Sequence, residues 1–319
     1  MIFVTVGTQL PFDRLIEAMD AFASKYPQHR VIGQVGSTGL TVSSMAASEF
    51  MSPADFTAAF EEATVVVAHA GTGSILAARQ AGKPLIVVPR RADRGEHRSD
   101  HQMATCRALA SDPAITIVED PSRLEMAILE LLEAATEPCV AEAASRQQPL
   151  SDLRAYVRNT VRALPRRVAK APTHRVLAVS STGGHLSELV EVVQELTSMD
   201  LVFVTTRTQD RQFFPRSRHF AVRENSLSAP WGSVLCAFQL ALLIIRIRPD
   251  VVVSTGAAPG FLAALIARST GAKAIWIDSF ANADKVSLAG RMAKPVCHRF
   301  LVQWPQLAGR DSEFRGAIA

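Results

Sequence analysis

Residues 65–90 read VVVAHAGTGSILAARQAGKPLIVVPR, with two aliphatic runs on either side of a glycine-rich turn. The runs at 65–68 and 85–88 are short and rich in β-branched residues, which is typical of strands that are covered on both faces. Between them, Gly71-Thr72-Gly73-Ser74 predicts the turn and N-cap of a helix that ends at Gly82, because Pro84 blocks its continuation. The stretch therefore predicts a strand, a helix and a second, parallel strand.

The start of the predicted helix is a candidate anion site. A helix that begins in such a turn presents unpaired backbone N–H groups and the positive end of its dipole, which favours an anion such as phosphate. A single Gly-x-Gly is a weak signal, however, and a tight connection that binds nothing is the alternative.

The second half of the chain repeats this arrangement. The valine triplet at 251–253 is followed by a glycine-rich turn around Gly256. Leu262-Ala263-Ala264 stands at the same offset behind this triplet as Leu76-Ala77-Ala78 behind the valines at 65–67. Two similar α/β units predict two Rossmann-like domains that face each other across a cleft.

The openings of the two halves match as well. A strand predicted at 2–6 precedes Gly7-Thr8-Gln9, and one at 176–179 precedes Ser181-Thr182-Gly183-Gly184-His185. Ligands of such sheets bind outside the carboxyl ends of the strands, so these turns are expected to line the site.

A join between the domains is predicted near residue 165. Apolar content falls from 137 to 172, and Pro165-Arg166-Arg167 is typical of an exposed connection. We therefore predict a first domain over residues 1–164 and a second over residues 165–319.

Composition excludes several classes of protein. The chain has 319 residues, of which 48% are hydrophobic and 20% charged, as expected of a soluble globular protein. The longest apolar run, 234–245, is interrupted by Gln239 and is too short to span a bilayer. No basic segment precedes Ile2, so a signal peptide is not expected and a cytoplasmic location is predicted. The sequence contains neither Asp-x-Asp nor Cys-x-x-Cys, so neither a metal site nor a cofactor is predicted.

Basic residues concentrate between Arg207 and Arg223, beside Phe213, Phe214 and Phe220. This mixture suits nucleic acid, an anionic membrane surface or a lipid diphosphate, and a solvated loop is the plain alternative. The apolar helix predicted at 231–247 is either part of the core or lies against lipid.

Polar side chains gather at the expected carboxyl edge of the first sheet. Asp13 opens a helix there, either as a first-turn carboxylate that the dipole favours or as a functional group. A dense polar loop, 89–102, follows the strand at 85–88, and loops at strand ends carry sites. Its arginines suit phosphate or carboxylate, and Glu96 and Gln102 suit sugar hydroxyls.

The motifs resemble a known group of glycosyltransferases. A resemblance to the catalytic subunit of the two-subunit dolichol-pathway N-acetylglucosaminyltransferase is carried by IFVTVGTQLPFDRLI, VVAHAGTGSILAARQAGKPLIVVPR and GEHRSDHQ. A resemblance to its membrane-recruiting partner is carried by VSSTGGHLSEL, RPDVVVSTGAAPG, IDSFANADKVSLAGR and FLVQWPQL. The two pieces also resemble the bacterial PssE and PssD pair, and their fusion resembles the sphingan glucuronosyltransferases of the SpsK and WelK type. Together they resemble MurG with its halves swapped.

The resemblance implies a GT-B fold and metal-independent, inverting transfer from a UDP-sugar to a polyprenyl-diphosphate-linked sugar. The first domain would bind the donor through Gly7, Thr8, Gln9, His69, Gly71, Thr72, Gly73, Ser74, Arg90, Arg91, Glu96, His97 and Gln102. The second would bind the acceptor through Thr182, Gly183, Gly184 and Gly256. Membrane contact would be peripheral, on the anionic inner face of the cytoplasmic membrane. Nucleic acid is not expected as a partner, and association with a second copy of the chain stays open.

The reaction requires a base that removes the proton of the attacking hydroxyl. His185 is the first candidate, because an unperturbed imidazole titrates near pH 6.5. The alternative for His185 is that it only binds the acceptor phosphate, and Asp13 is the second candidate base.

The donor sugar is predicted to be glucuronate, transferred to a glucosyl-diphospho-polyprenol in exopolysaccharide assembly, with a β-1,4 linkage expected from the resemblance. A buried carboxylate must be paired, and Arg90, Arg91, Arg94, His97 and Arg98 stand close to Gln102 in the sequence. The alternative donor is UDP-N-acetylglucosamine, and a non-catalytic nucleotide-sugar sensor is the remote alternative. A nicotinamide dehydrogenase is excluded, because neither first strand is followed by G-x-G-x-x-G.

Overall fold

The computed structural model describes residues 1–7, 10–97, 100–134, 143–167, 172–224 and 230–318, without the side chains at 53, 143–148 and 230. The chain divides into two compact units, Met1–Arg146 and Gln147–Ala319.

The first unit is built on one parallel sheet. Its elements are, in chain order, β1 (Ile2–Thr5), α1 (Asp13–Lys25), β2 (Val31–Gln34), β3 (Ala46–Ser48), α2 (Pro53–Glu62), β4 (Val65–His69), α3 (Thr72–Gln80), β5 (Leu85–Val88), α4 (His101–Leu109), β6 (Ile115–Ile117) and α5 (Leu124–Ala134). The strands pair in the order β3-β2-β1-β4-β5-β6, and every pair is parallel.

The core of this unit follows from its apolar pattern. Every residue of β1 and β5 is buried, because helices cover both faces of the sheet. Leu15, Ile16 and Met19 of α1 are completely buried against it. Helix α3 begins at Thr72, and Gly82 follows its end with a φ of 61°, as the glycine and proline pattern predicts.

The second unit repeats the architecture. Its elements, beginning with the helix that crosses the division, are α6 (Ala143–Ala163), β7 (Arg175–Val179), α7 (Gly184–Val193), β8 (Asp200–Thr205), β9 (Arg218–Ala221), α8 (Pro230–Ile247), β10 (Val251–Ser254), α9 (Ala257–Thr270), β11 (Lys273–Ile277), α10 (Leu288–Ala293), β12 (Arg299–Val302) and β13 (Glu313–Phe314). The parallel strands follow the order β13-β12-β11-β10-β7-β8-β9.

The strand orders place a candidate site in each unit. In the first sheet β1 lies between β2 and β4, and in the second β7 lies between β8 and β10. The chain therefore reverses direction across each sheet at its first strand, which is where doubly wound sheets bind their ligands. The prediction of two Rossmann-like α/β domains is confirmed.

The division between the units differs from the predicted one at residues 164 and 165. Helix α6 packs on the second unit through Leu153, Val157 and Val161, which are completely buried. Their spacing of four residues gives the helix one apolar stripe. The segment from 143 to 163 is therefore not an exposed join.

The basic segment 207–223 also differs from the predicted loop. A 3₁₀ helix occupies Thr208–Phe213, and β9 adds an edge strand that pairs with β8. Within the described residues, no helix is both long enough and apolar enough to cross a membrane.

Candidate functional site

In the first unit, the imidazole of His69 packs against the backbones of two turns. His69 is the last residue of β4, and Gly7 follows β1. A Cβ on Gly7 would lie 2.7 Å from His69 Cε1, and one on Gly71 would lie closer still to Nε2. Gly7 also has a φ of 74°. Glycine is therefore required at both positions by the approach of the ring.

The histidine in this turn is neutral. Burial, together with the charge of the nearby Arg90 guanidinium, lowers the pKa of His69 to about 3. Gly71 is the N-cap of α3, and no side chain caps the first turn. The turn thus combines a neutral imidazole with the amino end of a helix, where an anion is stabilised by backbone N–H groups.

Arg90 lies under this turn and not beside it. Its side chain is buried, and its guanidinium donates to the carbonyl oxygens of Val6, Leu10, Pro11 and Glu96. It also stacks over the Phe12 ring at 4.7 Å. Burial lowers the pKa of Arg90 to about 10. These bonds fix the β1–α1 turn and occupy the donors that sequence reasoning assigned to a ligand, so Arg90 is corrected to a structural role.

Glu96 and Gln102 both accept hydrogen bonds from the backbone of the 89–102 loop. The Glu96 carboxylate accepts two hydrogen bonds from Arg14, at 2.7 and 3.0 Å, and one from the Arg91 backbone N–H. Gln102 is buried, and its Oε1 accepts the Arg90 backbone N–H at 2.9 Å. Glu96 is therefore oriented by Arg14, which sequence reasoning missed because the two residues are 82 positions apart.

The remaining predicted residues of the first unit lie near the carboxyl edge of the sheet. The Asp13 carboxylate accepts a hydrogen bond of 2.6 Å from Thr38, and Arg91 pairs with Asp93. The rings of His97 and His101 meet edge to face at 4.4 Å. Thr72 and Ser74 are buried, and Gly73 is half-buried, at the start of α3. Thr8, Gln9 and Arg98 lie outside the described residues.

In the second unit, the histidine at the sheet edge is His185, which follows the first strand of its sheet rather than the neighbouring strand. It lies in the first turn of α7, behind Gly183, whose φ is 83°. Its Nδ1 lies 3.0 Å from the Thr255 carbonyl oxygen, and the Thr255 hydroxyl donates to the His185 carbonyl at 2.6 Å. A Cβ on Gly256 would lie 2.8 Å from His185 Cε1. The turn after β7, which contains Gly183, Gly184 and His185, thus contacts the turn after β10 at Gly256. The Thr182 hydroxyl donates a hydrogen bond to Asp210.

The hydrogen bond fixes the tautomer of His185. A carbonyl oxygen only accepts, so Nδ1 carries the proton and Nε2 is left as the proton acceptor of the ring. Burial lowers the pKa of His185, and the Thr255 carbonyl and the charge of Asp278 oppose that shift. The ring is therefore neutral and able to take up a proton, as a general base must be.

Two buried carboxyl groups lie near this histidine, and sequence reasoning did not select them. Glu188 is one turn further along α7, and Asp278 follows β11. Both are buried. The available signal was the pair of motifs VSSTGGHLSEL and IDSFAN, which contain these carboxyl groups, but spacing alone does not show that the two meet.

The comparisons agree with the division into two unlike halves. Residues 1–156, just under half of the chain, match the glycosyltransferase family 28 C-terminal domain. Residues 203–318 match the description "oligosaccharide biosynthesis protein Alg14 like".

Individual relatives carry the ALG14 name. The UDP-N-acetylglucosamine transferase subunit ALG14 of Yarrowia lipolytica is 31% identical over 152 residues, which are 44% of this chain and 66% of that protein. The subunit of the same name from Schizosaccharomyces pombe is 31% identical over 121 residues, 33% of this chain and 54% of that protein. The chain thus spans between about a half and two thirds of these relatives. MurG of Acinetobacter baumannii is 15% identical, with a TM-score of 0.39 over 45% of each chain.

Proposed function

We propose that this chain is a UDP-sugar-dependent, inverting glycosyltransferase that moves N-acetylglucosamine to a lipid-diphosphate-linked acceptor. The observation that carries the proposal is the order of the two matches, a glycosyltransferase family 28 C-terminal domain followed by an Alg14-like domain in one polypeptide. The first unit is the donor side and the second is the acceptor side.

The donor side uses the turn built on Gly7, His69 and Gly71. The UDP diphosphate lies against the amino end of α3, where backbone N–H groups and the helix dipole stabilise its charge. Glu96, oriented by Arg14, accepts hydroxyl groups of the ribose, and Gln102 faces the sugar. Negative charge that develops on the leaving UDP is stabilised by the same helix start, without a metal ion.

The acceptor side supplies the base. His185 Nε2 takes the proton from the attacking hydroxyl, and the Thr255 carbonyl holds Nδ1–H so that the ring keeps its orientation. The hydroxyl oxygen forms the new bond to the anomeric carbon as the bond to the UDP oxygen breaks, which inverts the configuration. Asp13 is retained as the second candidate base, since its carboxylate is positioned by Thr38 at the other sheet.

The choice of N-acetylglucosamine over glucuronate follows the names of the relatives, which are UDP-N-acetylglucosamine transferase subunits. The argument for glucuronate depended on arginines of the 89–102 loop. Arg90 is committed to carbonyl oxygens, and Arg91 pairs with Asp93. Arg94 is exposed and is the described arginine of the loop that is best placed to meet a carboxylate.

Peripheral contact with an anionic membrane is part of the proposal, because a lipid-linked acceptor must be reached at a bilayer surface. Helix α8 buries one apolar face in the core and exposes another. The exposed face consists of Trp231, Val234, Leu235, Phe238, Leu242 and Ile245. Exposed arginines lie in the preceding segment, at Arg207, Arg211, Arg216 and Arg223. Apolar area together with basic charge is the combination that binds anionic interfaces.

A donor competition tests the proposal. Purified chain is mixed with a polyprenyl-diphosphate-linked sugar and with UDP-N-acetylglucosamine, UDP-glucuronate or UDP-glucose, and lipid-linked product and UDP are measured. The N-acetylated donor is expected to react fastest, and Arg94→Gln to leave that rate unchanged. A preference for UDP-glucuronate that Arg94→Gln erodes would restore the glucuronate prediction. Binding of a UDP-sugar without product on any acceptor would leave the sensor alternative.

A further inference from the structure

Glu188 joins three elements of the second unit. Its side chain is completely buried, one turn after His185 on α7. Oε1 accepts from the Ser279 hydroxyl at 2.6 Å and from the Phe280 backbone N–H at 3.1 Å, and Oε2 accepts from Gln303 Nε2 at 3.0 Å. These donors follow the carboxyl ends of β11 and β12, so one side chain connects the His185 helix to two strand ends.

Asp278 is the second buried carboxylate of the cluster. It accepts from Trp276 Nε1 at 3.1 Å, from the Ser287 hydroxyl and backbone N–H at 2.6 and 3.0 Å, and from Asn282 Nδ2 at 3.3 Å. Gln303 Nε2 links the two residues, since it also donates to the Asp278 carbonyl at 3.0 Å.

The cluster acts on His185 in two ways. The first turn of α7 is fixed on one side by Thr255, which bonds both the ring and the carbonyl of His185. Glu188 fixes the next turn of the same helix on the β11 and β12 side. In addition, the charge of Asp278 raises the pKa of His185 against the effect of burial, and it raises that of Glu188 too.

We propose that Glu188 and Asp278 are positioning residues for His185, Glu188 by fixing its helix to the ends of β11 and β12 and Asp278 by presenting negative charge to its imidazole. The inference rests on the proposed function in that His185 is the base of the transfer. A base that becomes an imidazolium in a buried site needs a compensating charge. Strands β10 and β11 pair with Ser254 opposite Trp276, so Asp278 leaves its strand beside the Gly256 turn against which His185 packs. The groups that act on the pKa of His185 are the Thr255 carbonyl and Asp278, and those that act on the pKa of Glu188 are Ser279, the Phe280 N–H, Gln303 and Asp278.

The charge is tested by NMR titration of the His185 imidazole in the full chain, with His185→Gln used to assign its signal. Asp278→Asn is expected to lower the pKa of His185 by about half a unit or more, because only the Thr255 carbonyl then opposes the effect of burial. Asn282→Ala is the matched control, since it removes one hydrogen bond to Asp278 and leaves the charge. An unshifted His185 in folded Asp278→Asn, or an equal shift in Asn282→Ala, overturns the role of Asp278.

The helix connection is tested by turnover. In Glu188→Gln the two ends of the side chain become one acceptor and one NH₂ donor, and that donor meets either the Phe280 N–H or the Gln303 amide donor-to-donor, so one bond between α7 and a strand end is lost. We expect kcat to fall about tenfold or more while the donor KM stays within about twofold, because only the acceptor side is disturbed. Ser279→Ala, which removes a single bond to Glu188, should give a smaller loss of the same kind. A rise in donor KM that accounts for the whole loss, or unchanged kcat in both variants, contradicts the role of Glu188.

The two experiments separate this inference from the proposed function, since the titration needs no turnover. If the chain transfers no sugar but the pKa of His185 falls in Asp278→Asn, the proposed function is refuted and the coupling between Asp278 and His185 stands. If the chain transfers sugar but the pKa of His185 is unchanged in Asp278→Asn, the transfer stands and the coupling is refuted. Thermal unfolding of each variant identifies any that are misfolded. If Glu188→Gln is misfolded, the smaller loss of kcat expected in Ser279→Ala tests the helix connection.

Discussion

Two half-buried histidines, each packed against glycine backbone at a strand end, are the residues on which both candidate sites depend. His69 meets Gly7 and Gly71, and His185 meets Gly256. In each unit the histidine belongs to one βα turn and a glycine it packs against to the turn of the neighbouring strand. Substituting a larger residue for these glycines would displace the ring, because a Cβ has no room at that distance.

His69 gives the stability of the protein a dependence on pH. Its pKa is about 3 in the folded chain, below the ordinary value of 6.5. The stabilisation is therefore complete above pH 6.5 and is lost as the pH falls towards 3, because the unfolded chain binds a proton that the folded chain excludes. Urea unfolding between pH 6.5 and 4 should show a loss of up to about 1.4 kcal/mol per pH unit from this group. His69→Asn should show a smaller slope, and an identical slope would contradict the burial of His69.

Glu188 should act in the opposite direction. Burial raises the pKa of Glu188 to about 8, from an ordinary value of 4.5. The folded chain then holds a proton that the unfolded chain has released, so this contribution is lost as the pH rises from 4.5 through 8. Glu188→Gln has no titrating group, and its free energy of unfolding should change less between pH 6 and 8 than that of the unmodified chain. A steeper change in the variant would show that the carboxyl is not the proton-binding group.

His185→Ala should separate chemistry from donor binding. Loss of a general base costs about 10²- to 10⁴-fold in turnover, whereas the affinity for UDP-sugar should be unchanged because His185 belongs to the second unit. His298→Ala, at an exposed histidine of the same unit, is the control and should react at the unmodified rate. Equal loss of donor affinity in His185→Ala would mean that the donor and acceptor sides are exchanged, and an unmodified rate would make Asp13→Ala the next variant.

At the residue scale, the sequence was most informative where local pattern determines geometry. The Gly183-Gly184-His185 turn follows a strand and opens a helix, so its place at the sheet edge could be predicted from order alone. Arg90 could not be interpreted in this way. Its ligands are backbone carbonyl oxygens of the β1–α1 turn, about 80 residues earlier in the chain, and carbonyl oxygens leave no trace in a sequence.

At the scale of elements, the strands that were predicted correctly are the buried ones. The run at 85–88 was predicted with the bounds that the structure has, because burial on both faces selects a continuous aliphatic run. The edge strand β9 was missed, since three of its four residues are exposed and only one neighbour constrains it. Helix α6 was missed because its stripe of Leu153, Val157 and Val161 is diluted by charged residues on its other faces.

The exposed face of α8 makes a prediction about membrane binding. Trp231 is 85% exposed and Phe238 60%, on a helix whose opposite face is core. Vesicles that contain anionic lipid should bind the full chain, and binding should weaken as salt is raised, because screening reduces attraction to the exposed arginines. Trp231→Ser together with Phe238→Ser should reduce binding about tenfold or more, since both rings lose their burial in the interface.

The matched control is Phe50→Ser, which removes an exposed phenylalanine from the first unit. It should bind vesicles as the unmodified chain does. Equal binding to neutral and anionic vesicles at every salt concentration, with no effect of the α8 changes, would argue against this surface as the membrane contact.

At the scale of the whole molecule, the two units are alike in fold and unlike in chemistry, and this difference predicts where UDP binds. Both units offer a helix start without a side-chain cap, which suits a diphosphate. The first unit joins it to neutral His69 and to Glu96, which suits a nucleotide, whereas the second joins it to the proton acceptor His185, which suits the acceptor. In hydrogen exchange on the full chain, UDP should therefore protect amides at the start of α3 and leave those of α7 unchanged. The protection should be the same with EDTA as with magnesium, because the helix start supplies the stabilising charge. Glu96→Gln should weaken it by loosening the ribose contact, while Arg94→Gln, in the same loop, should not. Protection of α7 would place the nucleotide in the second unit and would overturn the assignment of the two halves. Protection that requires a divalent metal would mean that the donor site holds a cation, and it would overturn the role given to the helix start.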